Sequence, residues 1–162
     1  MDYDIIRYDQ SYRLDVLNVI NYFVEHSFAA YPDSPLEMDW VERYEKMTEL
    51  YPSWLVIDNN RAVGIASLHA YHRYPVFNHT AEITYFLLPE YTGKGIGKKL
   101  LTLLIEGAKA KGITEILASI SSKNEQSIMF HRKNGFRKVG EFERIGKKKD
   151  ELFNIIYMQR SI

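Results

Sequence analysis

Residues 80–101 read TAEITYFLLPEYTGKGIGKKLL, and this stretch limits the possible folds more than any other. β-branched and aromatic residues dominate positions 80–88, the composition of a strand. Pro89 cannot donate to a ladder, so regular pairing is expected to end there. Gly93, Gly95 and Gly97 alternate over five positions, and Leu100, Leu101, Leu104, Ile105 and Ala108 then recur at helical spacing. A helix over roughly 96–111 follows, with Gly112 as its stop. Glycine costs backbone entropy, so such a cluster calls for positive φ or for close approach of another group. A helix N-terminus carries unpaired N–H groups and the positive end of a dipole, which together favour a phosphate. The stretch therefore reads as strand, anion-binding loop and helix.

Elsewhere the periodicity alternates in the same way. YDIIRY (3–8) is β-rich, and Leu14, Leu17, Ile20 and Val24 give residues 11–25 a helical stripe. AYPDSP breaks structure, and Ser34 or Asp33 is a candidate cap for a second helix over 36–50. WLVID (54–58) and AVGIASLHAY (62–71) read as a hairpin around Asn59-Asn60. TEILASI (114–120) is a strand, and 124–133 a short helix ended by Asn134-Gly135. FRKVGEFERI (136–145) and ELFNIIYMQR (151–160) form a last hairpin, and the charged KKKD between them reads as its solvated end. The order is βααβββαβαββ, a mixed α/β sheet in one domain spanning 1–162.

The 162 residues suffice for a core of ordinary size, and 46% hydrophobic with 26% charged is a globular balance. Net charge is zero but uneven: residues 1–50 hold four basic and eleven acidic side chains, residues 131–162 nine basic and four acidic. No uniform basic surface for nucleic acid is indicated. With no cysteine, disulfides, a cysteine nucleophile and thiolate metal sites are excluded. MDYDIIRYDQ lacks the form of a signal peptide, and no run is long enough to cross a bilayer, so a cytoplasmic protein is expected. Asn78-His79-Thr80 matches a glycosylation sequon, which in that setting reads as chance. His26, His69, His72 and His79 are not spaced as a metal site, and no metal is expected.

Three phosphate-loop patterns can be tested on the glycines. A nucleotide P-loop needs four residues between its glycines and then Gly-Lys-Ser/Thr. Three residues separate Gly93 from Gly97, and Lys98 is followed by Lys99, so no hydroxyl is available for Mg²⁺. A dinucleotide fingerprint needs G-x-G-x-x-G in the first strand-to-helix turn. Here the third glycine comes one position early and the loop follows the fourth strand.

The third pattern fits. The segment resembles the acetyl-CoA loop of the GNAT superfamily of N-acetyltransferases, Gln/Arg-x-x-Gly-x-Gly/Ala between the fourth strand and third helix. Gly95 and Gly97 take the small positions, and Thr92 stands where Gln or Arg is usual. The resemblance extends from about Ile5 to Met158. TAEITYFLLPEYTGKGIGKKLL, NEQSIMFHRKNGF and YPSWLV are similar to the phosphinothricin acetyltransferase branch, which acetylates the free amine of small amino-acid-like compounds such as phosphinothricin, methionine sulfoximine and methionine sulfone.

Transfer to an amine needs a base, because an alkylammonium has a pKa of roughly 10. Glu82 is the one carboxylate between Thr80 and Pro89. On the residues alone it is an outward-facing or a functional acid; the resemblance implies the general base. The resemblance also implies that His131 is the general acid for the departing thiolate. For acetyl-CoA it implies the loop Thr92, Gly93, Lys94, Gly95, Ile96, Gly97 and Lys98, with Asn124 and Ser127 beside the pantetheine arm. Leu87 and Leu88 join these on the expectation that an interrupted ladder frees backbone N–H groups for the thioester oxygen. Arg73 and Phe77 lie in the loop that recognises the amino acid in that branch. Leu152-Phe153-Asn154 stands where the branch has Trp-x-Asp, a departure that bears on the substrate. A homodimer follows from family habit. The rivals are transfer to a polyamine or protein N-terminus, towards which the acidic first half points, and a non-catalytic acyl-CoA sensor.

Overall fold

The computed structural model describes residues 2–162. Its elements are β1 (Asp4–Arg7), α1 (Arg13–His26), α2 (Met38–Thr48), β2 (Ser53–Asp58), β3 (Arg61–Ala70), β4 (Thr80–Leu87), α3 (Ile96–Ala110), β5 (Glu115–Ser121), α4 (Glu125–Lys133), β6 (Arg137–Lys148) and β7 (Glu151–Ser161). This is the order the periodicity predicts. Single 3-10 turns at Gln10–Tyr12, Pro75–Phe77 and Pro89–Tyr91 fill three of the connections.

Among the described residues, seven strands form one sheet in the order β1-β2-β3-β4-β5-β7-β6. Every neighbouring pair is antiparallel except β4 and β5. Two hairpins close on two-residue turns that need positive φ at both positions. Asn59 and Asn60 supply φ 49° and 60° between β2 and β3, and Lys149 and Asp150 supply φ 51° and 61° between β6 and β7. Asn and Asp visit this region at little cost, which explains three of the four residues.

Helices cover both faces. Val16, Ile20 and Val24 of α1 pack with Leu55 and Ile65 on one side; Ile96, Leu100 and Leu104 of α3 pack with Ile83, Ile116 and Met158 on the other. Strand alternation divides β4 between them. Phe86 packs on the α1 side, with its ring 5.1 Å from that of Phe23, whereas Tyr85 and Leu87 pack on the α3 side.

Two local expectations are corrected. Neither Asp33 nor Ser34 caps α2: the cap position is Glu37, with no side-chain cap bond. The entry to α2 is fixed instead by Asn21, whose Oδ1 accepts from Leu36 N at 2.7 Å and whose Nδ2 donates to Leu36 O at 3.0 Å. The charged KKKD is only partly a solvated end. Lys148 closes β6 with 2% of its surface exposed and donates to three backbone carbonyls.

The functional geometry follows from the one parallel pairing. β4 and β5 are in register only from Thr80↔Glu115 to Glu82↔Leu117. β4 then continues along β3 to Leu87, and β5 along β7 to Ser121. The two strands part after Glu82, and a cleft opens between them.

Candidate active site

The cleft holds about 320 Å³ and draws its walls from β4, β5, α4 and the α1–α2 connection. Glu82 stands at the point where the strands diverge. Its Oε1 accepts a hydrogen bond from Ser119 Oγ of β5 at 2.8 Å, so the side chain bridges the root of the split. Tyr31, from the α1–α2 connection, lines the same space. Its hydroxyl is pushed up to about 12, first by burial and next by the Glu82 charge, while a Ser119 side-chain hydrogen bond acts the other way. Tyr31 and Glu82 thus line one cleft.

His131 enters from α4 and is 2% exposed. Its Nδ1 lies 2.7 Å from Ser127 O and its Nε2 2.8 Å from the Tyr85 hydroxyl. A carbonyl oxygen only accepts, so the proton sits on Nδ1 and the Nε2 lone pair receives the Tyr85 O–H. Burial lowers the His131 pKa to about 4, with the Ser127 carbonyl opposing, so the ring is neutral near pH 7. The Tyr85 ring stacks on the imidazole at 5.4 Å with 9° between planes. Burial also pushes the Tyr85 hydroxyl well above its usual value. His131 is thus a neutral ring that donates to Ser127 O and accepts from the Tyr85 hydroxyl.

The glycine loop resolves into two causes. Gly93 and Gly95 have φ 73° and 80°, the left-handed region, and a Cβ added at either would meet nothing within 4 Å. The third, Gly97, is small for a different reason: a Cβ there would lie 3.3 Å from the Phe130 ring of α4. Gly95 caps α3 with no side-chain bond, which leaves the first-turn N–H groups to the loop's concave side. Ile96 is buried and offers the loop only its backbone; Lys98 is exposed on the first turn. Thr92 turns its hydroxyl back to Pro89 O at 2.7 Å, and Lys94 Nζ reaches Glu90 O at 2.5 Å.

Of the two leucines expected to offer free donors, one is not free. Leu88 N donates to Val63 O at 3.0 Å, so pairing with β3 runs up to the residue before Pro89. N–H groups alternate along a strand. Leu87 N–H consequently faces the β5 side, where pairing has already ended at Glu82. Asn124 lines the cleft and accepts from Ser127 N at 3.2 Å as the cap of α4. Ser127 lines it too, with Oγ 3.3 Å from His131 Nδ1.

Arg73 and Phe77 are not brought to the cleft. Both lie on the exposed β3–β4 connection, where Arg73 bonds and stacks on its neighbour Tyr74 and Phe77 meets Tyr71 edge-on. Sequence reasoning missed Tyr31, Tyr85 and Ser119. Tyr85 had a signal, since it follows Glu82 by three and so occupies the opposite face of β4. Ser119 had none, because its importance depends on which strand becomes the neighbour of β4. No group of three or more metal-ligating side chains occurs among the described residues, and no helix there is long and apolar enough to cross a membrane.

Comparison with known proteins accords with this geometry. Residues 17–136 match the model of the acetyltransferase (GNAT) family. The chain is 28% identical over 148 residues to the L-methionine sulfoximine/L-methionine sulfone acetyltransferase of Salmonella typhimurium, covering 89% of this chain and 85% of that protein. It is 27% identical over 105 residues to the phosphinothricin N-acetyltransferase of Streptomyces coelicolor, covering 65% and 61%. Among solved structures, a GNAT superfamily phosphinothricin acetyltransferase from Sinorhizobium meliloti in complex with acetyl-CoA superimposes with a TM-score of 0.92. That pair shares 25% identity over 100% of this chain and 89% of the other.

Proposed function

Because the chain belongs to the GNAT acetyltransferase family, we propose that it moves the acetyl group of acetyl-CoA to the primary amine of a small amino-acid-like substrate by direct attack. The observation that carries this reading is the place of Glu82, a carboxylate at the root of the β4–β5 split with the cleft in front of it. Acetyl-CoA supplies an activated acyl group and a thiolate leaving group. The residues fit it: Gly93 and Gly95 open the loop, and the N–H groups at the start of α3 would hold the pyrophosphate. Lys94 and Lys98 add positive charge at the loop. Asn124 and Ser127 would flank the pantetheine arm.

In the proposed reaction Glu82 takes a proton from the ammonium, directly or through a water, and the free amine attacks the thioester carbonyl. Leu87 N–H is the donor directed at the developing oxyanion. As the C–S bond breaks, the nitrogen's second proton passes to the departing sulfur, giving amide and thiol. A thiolate with a pKa of about 8.5 needs little acid help. His131 then serves as a positioning residue that holds the Tyr85 hydroxyl on the α3–α4 side of the cleft.

A second reading has one observation in its favour. Among the described residues that line the cleft, Glu82 is the one acidic side chain, and no lysine or arginine stands there beside it. A polyamine or protein N-terminus, which brings an ammonium without a nearby carboxylate, suits that balance. We place the activity in the cytoplasm, in keeping with a cysteine-free chain. We also propose a homodimer, with the exposed Tyr71, Tyr74, Val76 and Phe77 as the apolar surface a second copy would cover. Light scattering that returns a monomer mass overturns that part.

The deciding experiment measures CoA release from acetyl-CoA over a panel of amino acids, methionine sulfone, phosphinothricin, polyamines and N-terminal peptides, with Glu82→Gln beside wild type. Turnover of a small amino acid, lost in the variant, supports the first reading. A polyamine or peptide as the best acceptor selects the second. Acetyl-CoA binding with no acceptor consumed identifies a sensor.

A further inference from the structure

Lys148 is a buried ammonium that the reaction does not use, and its three bonds saturate its three donors. Nζ donates to Val24 O at 2.7 Å, Ser27 O at 2.9 Å and Ala30 O at 2.7 Å. Val24 and Ser27 belong to the end of α1, where carbonyls lack intrahelical partners and the dipole is negative. Ala30 lies beyond it, so one side chain gathers the helix end and the chain that leaves it. Lys149 adds a bond to Glu25 O. Burying a charge is costly unless it is satisfied, and burial lowers this lysine's pKa. Such an arrangement is stable only while residues 24–30 keep their present path.

A second tie comes from the opposite strand of the same hairpin. Phe153 of β7 is paired with Gly146 of β6, and a Cβ at Gly146 would lie 2.2 Å from the Phe153 ring. The outer part of the ring therefore occupies the space that a side chain at 146 would need. The ring also meets Phe28 edge-on at 5.7 Å and stacks on Tyr31 at 5.9 Å and 23°. Tyr31 lines the cleft together with Glu82 and Ser119.

We propose that Lys148 and Phe153, neither of which lines the cleft, are positioning residues for the acceptor amine: through Ser27–Tyr31 they fix the wall that faces Glu82. Lys148 sets the backbone path and Phe153 sets the ring plane of Tyr31. The acetyl-CoA side is built from α3, α4, Tyr85 and His131, which none of these Lys148 and Phe153 contacts reaches. This inference rests on the reading of the cleft as the site of amine acetylation.

The test compares Lys148→Met and Phe153→Leu with wild type by two measurements. The first is hydrogen exchange of peptides covering residues 24–36, which needs no substrate. The second is the separate KM values for acceptor amine and acetyl-CoA. Exchange in 24–36 is expected to quicken at least tenfold in Lys148→Met, with β4 and α3 unchanged. The amine KM is expected to rise about tenfold in Lys148→Met and about threefold in Phe153→Leu, with the acetyl-CoA KM within twofold of wild type. Unchanged exchange in folded Lys148→Met overturns the proposal, as does a KM change shared equally by both substrates. If Lys148→Met does not fold, Phe153→Leu decides alone, and unaltered amine KM there is fatal to the idea. Should wild type acetylate no amine, the functional reading fails, and exchange by itself judges the positioning role.

Discussion

The two sides of β4 meet the same cleft with opposite chemistry. On the α1–α2 side Glu82 keeps a carboxylate among hydroxyls, supported by Ser119 and faced by Tyr31. On the α3–α4 side, only three residues along the strand, Tyr85 and His131 form a neutral pair whose single imidazole proton is tied to Ser127 O. In the proposed reaction one face takes up a proton and the other holds its protons still. The difference suits the proposed reaction, which needs a base for the incoming amine but no strong acid for a thiolate. Alternation along the strand gives the two functions separate surroundings, and each side chain takes its electrostatics from the layer it enters.

The contrast breaks most visibly at Glu82. Glu82→Gln is expected to lower kcat/KM by roughly 10²–10⁴, the range for a lost general base. Acetyl-CoA affinity, read by calorimetry, should stay within twofold, because the cofactor loop is untouched. Raising the pH should recover part of the rate, since more amine is then already neutral. A variant as active as wild type would dismiss Glu82 as the base.

On the neutral face the largest effect is on stability. The folded His131 pKa of about 4 lies below its ordinary 6.5. Between these values the unfolded chain binds a proton that the folded chain does not, so stability falls as pH drops from 6.5 and levels off below 4. The loss attributable to this ring is about 3 kcal/mol. Urea melts of wild type and His131→Gln from pH 7.5 to 4 should differ in slope, with the variant flatter. Parallel curves would mean that the imidazole is not held neutral.

The cofactor loop gives a smaller and separable change. Gly95→Val forces a β-branched residue to φ 80° and is expected to cost about 1–2 kcal/mol. Its acetyl-CoA KM should rise on the order of tenfold, as 2 kcal/mol or less of distortion allows, while the amine KM stays near wild type. A rise confined to the amine would contradict the assignment of the loop. Smallest is Tyr85→Phe, which leaves His131 Nε2 without its donor and is expected to cost about 1 kcal/mol in thermal stability. Its kcat should fall less than fivefold if the hydroxyl orients rather than transfers a proton, roughly the size of one neutral hydrogen bond. A hundredfold loss would make Tyr85 the acid.

Much of this molecule can be read along the chain. The element order, the hairpin at Asn59-Asn60 and the end of α3 at Gly112 rest on local backbone preferences, which short segments express by themselves. Gly93 and Gly95 belong here as well, since their φ values are a property of the loop. Glu82 stood out as a lone carboxylate in an apolar strand, but the residues alone left it outward-facing or functional, and only the family resemblance pointed to a role. Other features were legible only in part. Pro89 marked the end of pairing correctly, but it did not show that Leu88 N would be taken up by Val63 O and only one of the two leucines left with a free donor. Arg73 and Phe77 had suitable chemistry for a substrate, but the β3–β4 connection carries them to the surface.

By itself, then, the sequence determined the strands and helices, the positive-φ glycines of the loop before α3 and the lone carboxylate of β4, since each depends on residues close together in the chain. The tertiary structure decided that β4 and β5 part at Glu82, that Ser119 arrives there, that His131 loses its charge and that Lys148 is buried under α1. Those outcomes turn on which groups are excluded from water together. Desolvation and pairing between residues 37 to 124 positions apart are set by packing, and local preference carries no record of them.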